Sequence, residues 1–299
     1  ASGTVLNAGA NQNLKVDFVP TDAANYASTS KTVSINIGKS TPVITWANPA
    51  GIAYGTALSA TQLNATADVT GTFTYTPASG TVLNAGANQN LKVDFVPTNT
   101  GDYLPVSKTV LINVAKKSIN GSITVANKTY DGSSTAAITS SVLTGVLPTD
   151  QANVTLTSSS ATFANANVGT AKVVTVSNPS LTGSSAGNYT LAGIGSVTAD
   201  ITAKSITITA DARSKTYGDA DPALTYSLPV SALVSGDVIT GTLARAAGEN
   251  AGSYLINQNN LSAGPNYIIN FNGNNLLINK KGLVITLEDK SKAYLAPNP

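Results

Sequence analysis

The chain has 299 residues, contains no histidine, cysteine or methionine, and carries a net charge of +2 from 17 basic and 15 acidic residues. Without histidine and cysteine it can form no Ser-His-Asp or Cys-His catalytic group, no Cys/His zinc site and no disulfide. The small net charge argues against a nucleic-acid groove, and no apolar run approaches the ~20 residues of a membrane-spanning helix. Because 42% of the residues are hydrophobic, a folded chain is predicted.

The first feature along the chain is a segment that occurs twice. Residues 1–21 read ASGTVLNAGANQNLKVDFVPT, and residues 78–98 repeat them letter for letter at an offset of 77 residues. The similarity continues beyond this segment, and the differences concentrate in the loops around Tyr26 and Tyr103. Self-similarity at this period predicts an array of small modules rather than one large globule.

Inside both copies, apolar residues alternate with polar ones, which is typical of a strand with one buried face. The apolar positions are Leu14, Val16 and Phe18 in the first copy and Leu91, Val93 and Phe95 in the second. Turn signals such as Asn48-Pro49-Ala50-Gly51 bracket the alternating runs. Short strands separated by such turns predict an all-β fold built as a sandwich or barrel.

Each predicted module ends with an apolar strand that is followed by one or two lysines. The four ends are Ile35-Asn36-Ile37-Gly38-Lys39, Ile112-Asn113-Val114-Ala115-Lys116-Lys117, Asp200-Ile201-Thr202-Ala203-Lys204 and Leu277-Ile278-Asn279-Lys280-Lys281. The next strand begins at once, without a Gly/Ser-rich or Pro-rich linker. Because a flexible linker would need such a segment, we expect the modules to form a stiff rod.

These ends divide the chain into five segments. We predict the C-terminal part of one module at 1–39, a complete module at 40–116, two modules of different sequence at 117–203 and 204–280, and the start of a further module at 281–299. Compared with the complete copy, the first segment lacks the 38 residues that correspond to 40–77, so it should lack several core strands. We therefore expect the chain to be an excerpt of a longer polypeptide.

Short motifs relate the modules to known families. The 40–116 module, with Pro42-Val43-Ile44-Thr45-Trp46, resembles a bacterial immunoglobulin-like repeat. The 117–203 module carries Lys128-Thr129-Tyr130-Asp131-Gly132 and resembles the YDG repeat family. The 204–280 module carries Lys215-Thr216-Tyr217-Gly218-Asp219 and resembles the MBG repeat family. Lys292-Ala293-Tyr294 looks like the start of another MBG-type module, although Leu295 stands where that motif has glycine.

The resemblance implies tandem immunoglobulin-like β-sandwich modules arranged end to end as a rod. Such repeats are found in large bacterial adhesins and filamentous surface proteins, including the gliding-motility adhesins. It therefore implies a structural stalk segment of a secreted or surface-anchored extracellular adhesin, spacing a distal binding region from the cell. The alternative is a glycan-binding module that contacts surface polysaccharide or a host surface. Exposed sheet edges could also pair between chains, which predicts lateral or filament self-association.

Five tyrosines follow a small polar residue, and most of them precede a strand. They are Tyr26, Tyr103, Tyr189, Tyr254 and Tyr267. In immunoglobulin-like sandwiches a corner tyrosine places its ring in the core and hydrogen-bonds nearby backbone, and we predict this structural role for these residues. Tyr130 and Tyr217, in the Lys-Thr-Tyr motifs, receive the same prediction. Exposure for recognition is the alternative, because tyrosine is frequent at interfaces.

The sequence offers weak candidates for chemistry. Asp219 and Asp221, with Asp211 nearby, could bind calcium, or they could cap a turn. The turn is favoured because the spacing of known calcium loops is absent. The only glutamates, Glu249 and Glu288, lie in different modules, so they offer no glycosidase pair. We predict no catalytic residue, no metal site and no cofactor, and we expect that the protein is not an enzyme.

Trp46 is the only tryptophan. It could stack on a sugar, but its place in an apolar strand favours the core. No glycine-rich phosphate-binding loop precedes a helix, and Gly71 with its neighbours is predicted to form a turn.

Overall fold

The computed structural model describes residues 3–298, which form an all-β protein, as predicted. Residues 3–116 contribute β1 (Gly9–Phe18), β2 (Thr29–Ile37), β3 (Ile44–Thr45), β4 (Ile52–Ala53), β5 (Thr66–Ala67), β6 (Gly71–Thr76), β7 (Gly86–Pro97) and β8 (Val106–Ala115). Residues 117–203 contribute β9 (Lys117–Val125), β10 (Lys128–Thr129), β11 (Ile138–Thr144), β12 (Thr155–Thr157), β13 (Ser160–Phe163), β14 (Gly169–Ser177), β15 (Ser180–Thr182), β16 (Tyr189–Gly193) and β17 (Val197–Thr202). Two 3-10 helices, Pro148–Asp150 and Ala186–Asn188, belong to the same segment.

Residues 204–280 contribute β18 (Lys204–Ala210), β19 (Arg213–Thr216), β20 (Tyr226–Ser227), β21 (Ala244–Arg245), β22 (Gly252–Asn257), β23 (Tyr267–Asn272) and β24 (Asn274–Asn279). Residues 281–298 contain no strand, and their apolar side chains, such as Leu283 and Ile285, are exposed. The first two residues of the predicted 1–39 segment and the last residue of the predicted 281–299 segment lie outside the described residues.

The chain folds into two compact units. The first comprises residues 1–122, 141–157 and 179–195, and the second comprises residues 123–140, 158–178 and 196–299. The division passes through β9 and β11, in the interior of the predicted 117–203 repeat. Each predicted joint between repeats therefore lies inside one compact unit. At the predicted joints 116/117 and 203/204 a single residue separates the last strand before the joint from the first strand after it, Lys116 in the first unit and Ala203 in the second.

In the first unit, the duplicated sequence forms two hairpins of the same register. In the β1–β2 pair Leu14 lies opposite Val33, and in the β7–β8 pair Leu91 lies opposite Val110. Each hairpin has a register shift after its first glycine, Gly9 in β1 and Gly86 in β7, which marks a β-bulge.

The two hairpins differ in what covers them. Sheet β4-β8-β7-β6 and the β3-β5 ladder enclose one hydrophobic core. Its buried members are Ile44, Trp46, Leu58, Leu63, Ala65, Leu91, Val93, Phe95, Val110 and Ile112. The β1–β2 hairpin forms a sheet of its own. As a result Phe18 is 60% exposed, whereas its counterpart Phe95 is 1% exposed.

One prediction for this core is wrong. Gly71 begins strand β6 instead of lying in a turn. A side chain there would approach the Phe95 ring to 2.4 Å, so glycine is required by close packing between β6 and β7.

The remaining strands of the first unit lie within residues 117–203. They form the sheet β11-β9-β16, in which β16 runs parallel to β9, and the antiparallel ladder β12-β15.

In the second unit, residues 204–280 form two sheets of order β20-β18-β23 and β19-β24-β22-β21. β18 runs parallel to β23 over six residue pairs, from Lys204–Tyr267 to Thr209–Asn272, and β19 runs parallel to β24. Buried side chains from both sheets, including Ala210 and Leu276, form their shared core. Strands from residues 117–203 add the sheet β10-β17-β14-β13 to this unit.

Candidate functional site

A buried carboxylate joins two tyrosines in the first compact unit. Tyr54 Oη donates a hydrogen bond of 2.7 Å to Asp150 Oδ2, and Tyr189 Oη donates one of 2.6 Å to the same oxygen. The two rings meet edge to face with their centroids 5.3 Å apart. All three side chains are buried, although 96 residues of sequence separate Tyr54 from Asp150. The cluster thus links the segments predicted as the 40–116 and 117–203 repeats.

Backbone geometry places these side chains. Tyr54 follows β4, and its amide donates to the Ala115 carbonyl at the end of β8 at 2.8 Å. Gly55 has a φ of +94°, and a side chain there would lie 3.2 Å from Leu147. Glycine therefore both permits the turn and leaves room for Leu147. Asp150 ends a 3-10 helix, and its amide donates to the Leu147 carbonyl at 2.9 Å.

The surroundings set the protonation of the cluster. Val114, Ile119 and Val154 are the buried apolar residues packed with the two tyrosines. Hydrogen bonds from Tyr189 and Tyr54 lower the pKa of Asp150, and the bond to Asp150 raises the pKa of Tyr54. Burial, together with the same carboxylate, raises the pKa of Tyr189 to about 12. At neutral pH the carboxylate is ionised and both phenols are neutral, so each tyrosine donates to a charged acceptor.

The second compact unit contains the same cluster built from other residues. Tyr130 Oη and Tyr267 Oη donate to Asp237 Oδ2 at 3.0 and 2.6 Å, and the ring centroids lie 5.4 Å apart. Here 107 residues separate Tyr130 from Asp237. The pKa of Tyr130 is raised chiefly by its bond to Asp237, and that of Tyr267 chiefly by burial. This cluster links the segments predicted as the 117–203 and 204–280 repeats.

The turns around the second cluster repeat the first. The Tyr130 amide donates to the Thr202 carbonyl at 2.8 Å, and the Asp237 amide donates to the Val234 carbonyl at 3.0 Å. Gly132 has a φ of +79°, and a side chain there would lie 2.5 Å from Val234. In both units, therefore, an apolar residue three positions before the aspartate packs against the glycine of the tyrosine turn.

An asparagine pair accompanies the first cluster. Asn188, directly before Tyr189, accepts a 2.8 Å hydrogen bond from the Ala85 amide through its Oδ1. Its Nδ2 donates to Asn84 Oδ1 at 3.2 Å. The single side chain thus binds both the backbone and the side chain of the loop that precedes β7.

The same pairing occurs in the second unit. Asn266 accepts from the Val168 amide at 2.9 Å and donates to Asn167 Oδ1 at 3.1 Å. A related bond lies at the predicted joint between 1–39 and 40–116, where the Ala8 amide donates to Asp102 Oδ1 at 2.6 Å. A backbone amide bound by the polar residue before a tyrosine therefore recurs at three of the four predicted joints.

A sequence pattern underlies these bonds, although in the sequence alone it indicates only a turn. An Asn-Ala-Gly or Asn-Val-Gly tripeptide occurs four times, at Asn7-Ala8-Gly9, Asn84-Ala85-Gly86, Asn167-Val168-Gly169 and Asn250-Ala251-Gly252. Asp150 and Asp237 were missed, although each lies three residues after an apolar residue in a turn.

The predicted tyrosine role is confirmed for the residues at the joints. Tyr189 and Tyr267 are buried, and their hydroxyls accept hydrogen bonds from the Leu147 and Val234 amides at 3.1 and 2.8 Å. The same prediction is wrong for Tyr26, which is exposed in the uncovered β1–β2 hairpin, and for Tyr217, which is 48% exposed.

The acidic candidates are held by basic side chains in the second unit. Asp221 forms ion pairs of 2.6 Å with Lys215 and Arg245, and Glu249 also pairs with both. The Arg245 guanidinium, with Lys215, lowers the pKa of Asp221 to about 2. The Asp219 carbonyl accepts a 3.1 Å hydrogen bond from Lys215. These contacts support the interpretation of this segment as a structured turn.

Two further candidates are placed by the structure. Asp211 accepts a hydrogen bond from Thr225, apart from the ion-pair cluster. Trp46 is buried in the core, and its indole Nε1 donates to the Gln62 carbonyl at 3.0 Å, which confirms the core assignment.

Within residues 3–298, no three acidic side chains come together as a metal site. None of the helices formed by these residues is long and apolar enough to cross a bilayer.

The raised pKa of Tyr189 predicts a loss of stability in alkali. Because folding favours the neutral phenol, its contribution is fully present below the ordinary tyrosine pKa of about 10 and is lost as pH rises toward 12. A loss of about 2–3 kcal/mol over this window is expected from ~1.4 kcal/mol per pKa unit. Urea denaturation between pH 8 and 12 measures it, with Tyr189→Phe as the control. Lysines titrate in both proteins, so only the difference between the two pH profiles reports on Tyr189. An equally steep loss in Tyr189→Phe would contradict the assignment.

Comparison with known proteins identifies two segments. Residues 115–199 match the family model described as the YDG domain, and residues 206–277 match the one described as the MBG domain (YGX type). No curated protein matches the chain. The matches confirm the predicted resemblance of these segments to the YDG and MBG repeat families.

Proposed function

We propose that the chain is a structural spacer of a bacterial adhesin, located outside the cell, and that it has no catalytic activity. In this role, tandem β modules hold a distal binding region away from the cell surface. The observation that carries the proposal is that neither compact unit coincides with one predicted repeat. Each unit instead spans a predicted joint. Residues on the two sides of a joint thus share one packed body, as a connection that transmits force requires.

The clusters at the joints support this function by their chemistry. Asp150 is buried and accepts hydrogen bonds from Tyr54, Tyr189 and, at 3.3 Å, Ser185. A general acid or base must reach a substrate proton, whereas this carboxylate is buried and both of its oxygens accept hydrogen bonds from its own chain. Its hydrogen bonds instead fix the angle between segments that a single residue connects, which favours stiffness over hinging.

Small-angle X-ray scattering of the full chain tests the proposal. We expect the wild type to scatter as an extended rod. The variant with Asp150→Ala and Asp237→Ala should show the rising Kratky curve of a jointed chain. The matched control is Thr149→Ala with Asp219→Ala, since these exposed side chains lie outside the two clusters. Scattering of a compact or freely jointed particle by the wild type would contradict the spacer hypothesis.

Glycan recognition is the alternative, and one surface feature favours it. Phe18, Asp22 and Tyr26 line an open hollow of ≈ 470 Å³, which combines aromatic faces with a carboxylate near a loop that differs between the two copies. One observation argues against glycan recognition: Phe95, which occupies the position of Phe18 in the second copy, is part of the hydrophobic core. A glycan array with the full chain tests this function, and binding that Tyr26→Ala abolishes would favour it over the spacer.

A further inference from the structure

The 204–280 segment carries a third copy of the surface that is used at the predicted joints 116/117 and 203/204. We define the socket of a repeat as its turn tyrosine together with the Asn-Ala/Val-Gly tripeptide. We define the plug as the turn aspartate, the apolar residue three positions before it, and the Asn-Tyr pair. Tyr54 and Asn84-Ala85-Gly86 form the first socket, and Tyr130 and Asn167-Val168-Gly169 form the second. Tyr217 and Asn250-Ala251-Gly252 have the same composition.

The turn of Tyr217 has the geometry of the occupied sockets. The Tyr217 amide donates to the Asn279 carbonyl at 2.9 Å, as the Tyr54 and Tyr130 amides do at the ends of β8 and β17. Gly218 follows with a φ of +88°. The short strand before the tyrosine, β19, runs parallel to the last strand of its repeat, β24, as β4 and β10 do in theirs.

The tripeptide loop is also held in place. Tyr254 Oη donates to the Asn250 carbonyl at 2.8 Å, where Gln89 and Lys172 bind the corresponding carbonyls in the occupied sockets. Arg245 donates to the Gly248 carbonyl at 2.6 Å and pairs with Glu249. These bonds fix the loop without any neighbour, so the third socket is formed in advance.

What distinguishes the third socket is that its binding groups are uncovered. Tyr217 is 48% exposed, whereas Tyr54 and Tyr130 are 8% and 7% exposed. A side chain at Gly218 would meet no atom within 4 Å, whereas Leu147 and Val234 pack against the other two glycines. Ala251 is exposed, and among the described residues its amide has no hydrogen-bond partner of the kind that Ala85 and Val168 have.

The residues after the repeat indicate what occupies this surface. Residues 281–294 align with 204–217 at an offset of 77, matching Lys204, Lys215 and Tyr217 with Lys281, Lys292 and Tyr294. In 204–280 the aligned strand, β18, pairs in parallel with β23, which begins with the plug tyrosine Tyr267. In 281–298 the aligned apolar residues are exposed and unpaired.

We propose that Tyr217 and Asn250-Ala251-Gly252 dock a further β module of the same polypeptide, the one that residues 281–294 begin. This module would present an aspartate with an apolar residue three positions earlier, and an asparagine or aspartate directly before a buried tyrosine. The proposal deepens the spacer function by naming the chemistry of the next partner in the array.

The test extends the full chain by a module of its own sequence. Residues 218–280 are attached after Tyr294, so that 281–294 and the added segment together form a second copy of the 204–280 repeat. Tetranitromethane nitration of tyrosines, mapped by mass spectrometry, reports on the socket. Tyr217 is expected to react in the original chain and to become at least tenfold less reactive in the extended chain. Tyr26 should stay reactive in both and serves as the internal control.

Asp237→Ala introduced only in the added copy is the matched variant, and it should restore the reactivity of Tyr217. Hydrogen exchange of the Ala251 amide is the second readout, and it should slow at least tenfold in the extended chain. Circular dichroism reports whether the added copy folds. If it does not, a second chain carries residues 117–203 after Lys280, which supplies the plug of Leu147, Asp150 and Asn188-Tyr189.

A folded extension that leaves Tyr217 and Ala251 as reactive as before would overturn the proposal. So would failure of both extensions to fold, because an occupied socket should stabilise the module that follows it. The spacer function is tested separately by scattering from the original chain. A flexible original chain with a protected Tyr217 in the extension would overturn the spacer and leave the docking site standing.

Discussion

Phe95→Ala is expected to lower the free energy of unfolding of the core around Trp46 by about 3–5 kcal/mol, the usual cost of removing a buried phenylalanine. Phe95 is 1% exposed, and its ring centroid lies 4.7 Å from that of Phe73. Urea denaturation followed by tryptophan fluorescence measures the effect directly, because Trp46 is the only tryptophan and belongs to the same core.

The chain supplies its own control for this variant. Phe18 lies in the identical 21-residue sequence but is 60% exposed, so Phe18→Ala should change the free energy by no more than about 0.5 kcal/mol. Equal effects of the two substitutions would contradict the structure, because they would mean that local sequence, and not coverage by β3–β6, decides burial.

Asp150→Ala is expected to cost about 2–4 kcal/mol, because it leaves the buried hydroxyls of Tyr54 and Tyr189 without their acceptor and an unsatisfied buried group costs ~1–3 kcal/mol. Asp150→Asn keeps one acceptor oxygen for the two tyrosines and replaces the other carboxylate oxygen with an NH2 group, so its cost should be smaller than that of Asp150→Ala. Urea denaturation followed by circular dichroism measures both. Thr149→Ala, in the same turn but exposed, is the control and should be nearly neutral.

A double-mutant cycle separates the contribution of the Tyr54–Asp150 hydrogen bond to the free energy of unfolding from the effect of Asp150 on its own turn. Tyr54→Phe and Asp150→Ala should be less than additive, because each removes the same hydrogen bond between segments 96 residues apart. Additive effects would show that Asp150 acts only within its own turn, and the cluster would then not fasten the joint.

The all-β fold could be read from the sequence because strand formation depends on local alternation. Leu91, Val93 and Phe95 point the same way in any strand, and the structure buries all three. Whether such a face is covered depends on other segments, and this is why the same pattern in β1 leaves Phe18 exposed. Gly71 was assigned to a turn because its role, close approach to Phe95, depends on a neighbouring strand.

The joints could be predicted only in part. The lysine-marked strand ends are the signal from which the joints are predicted, and the buried roles of Tyr189 and Tyr267 follow from their position before a strand. The partners Asp150 and Asp237 could not be recognised, because one follows Pro148-Thr149 and the other Ser235-Gly236. Nothing in either turn requires a second tyrosine from about 100 residues away. The four Asn-Ala/Val-Gly tripeptides were the available signal.

The parallel pairing of β18 with β23 has a mechanical consequence. A pull on the chain where it enters the 204–280 repeat acts along the length of β18, which is held to β23 through the six residue pairs from Lys204–Tyr267 to Thr209–Asn272. In this shear geometry the ladder hydrogen bonds share the force and must break nearly together, whereas a hairpin pulled apart from its open end loses them one by one. Resistance to stretching would then be set by the unfolding rate under load.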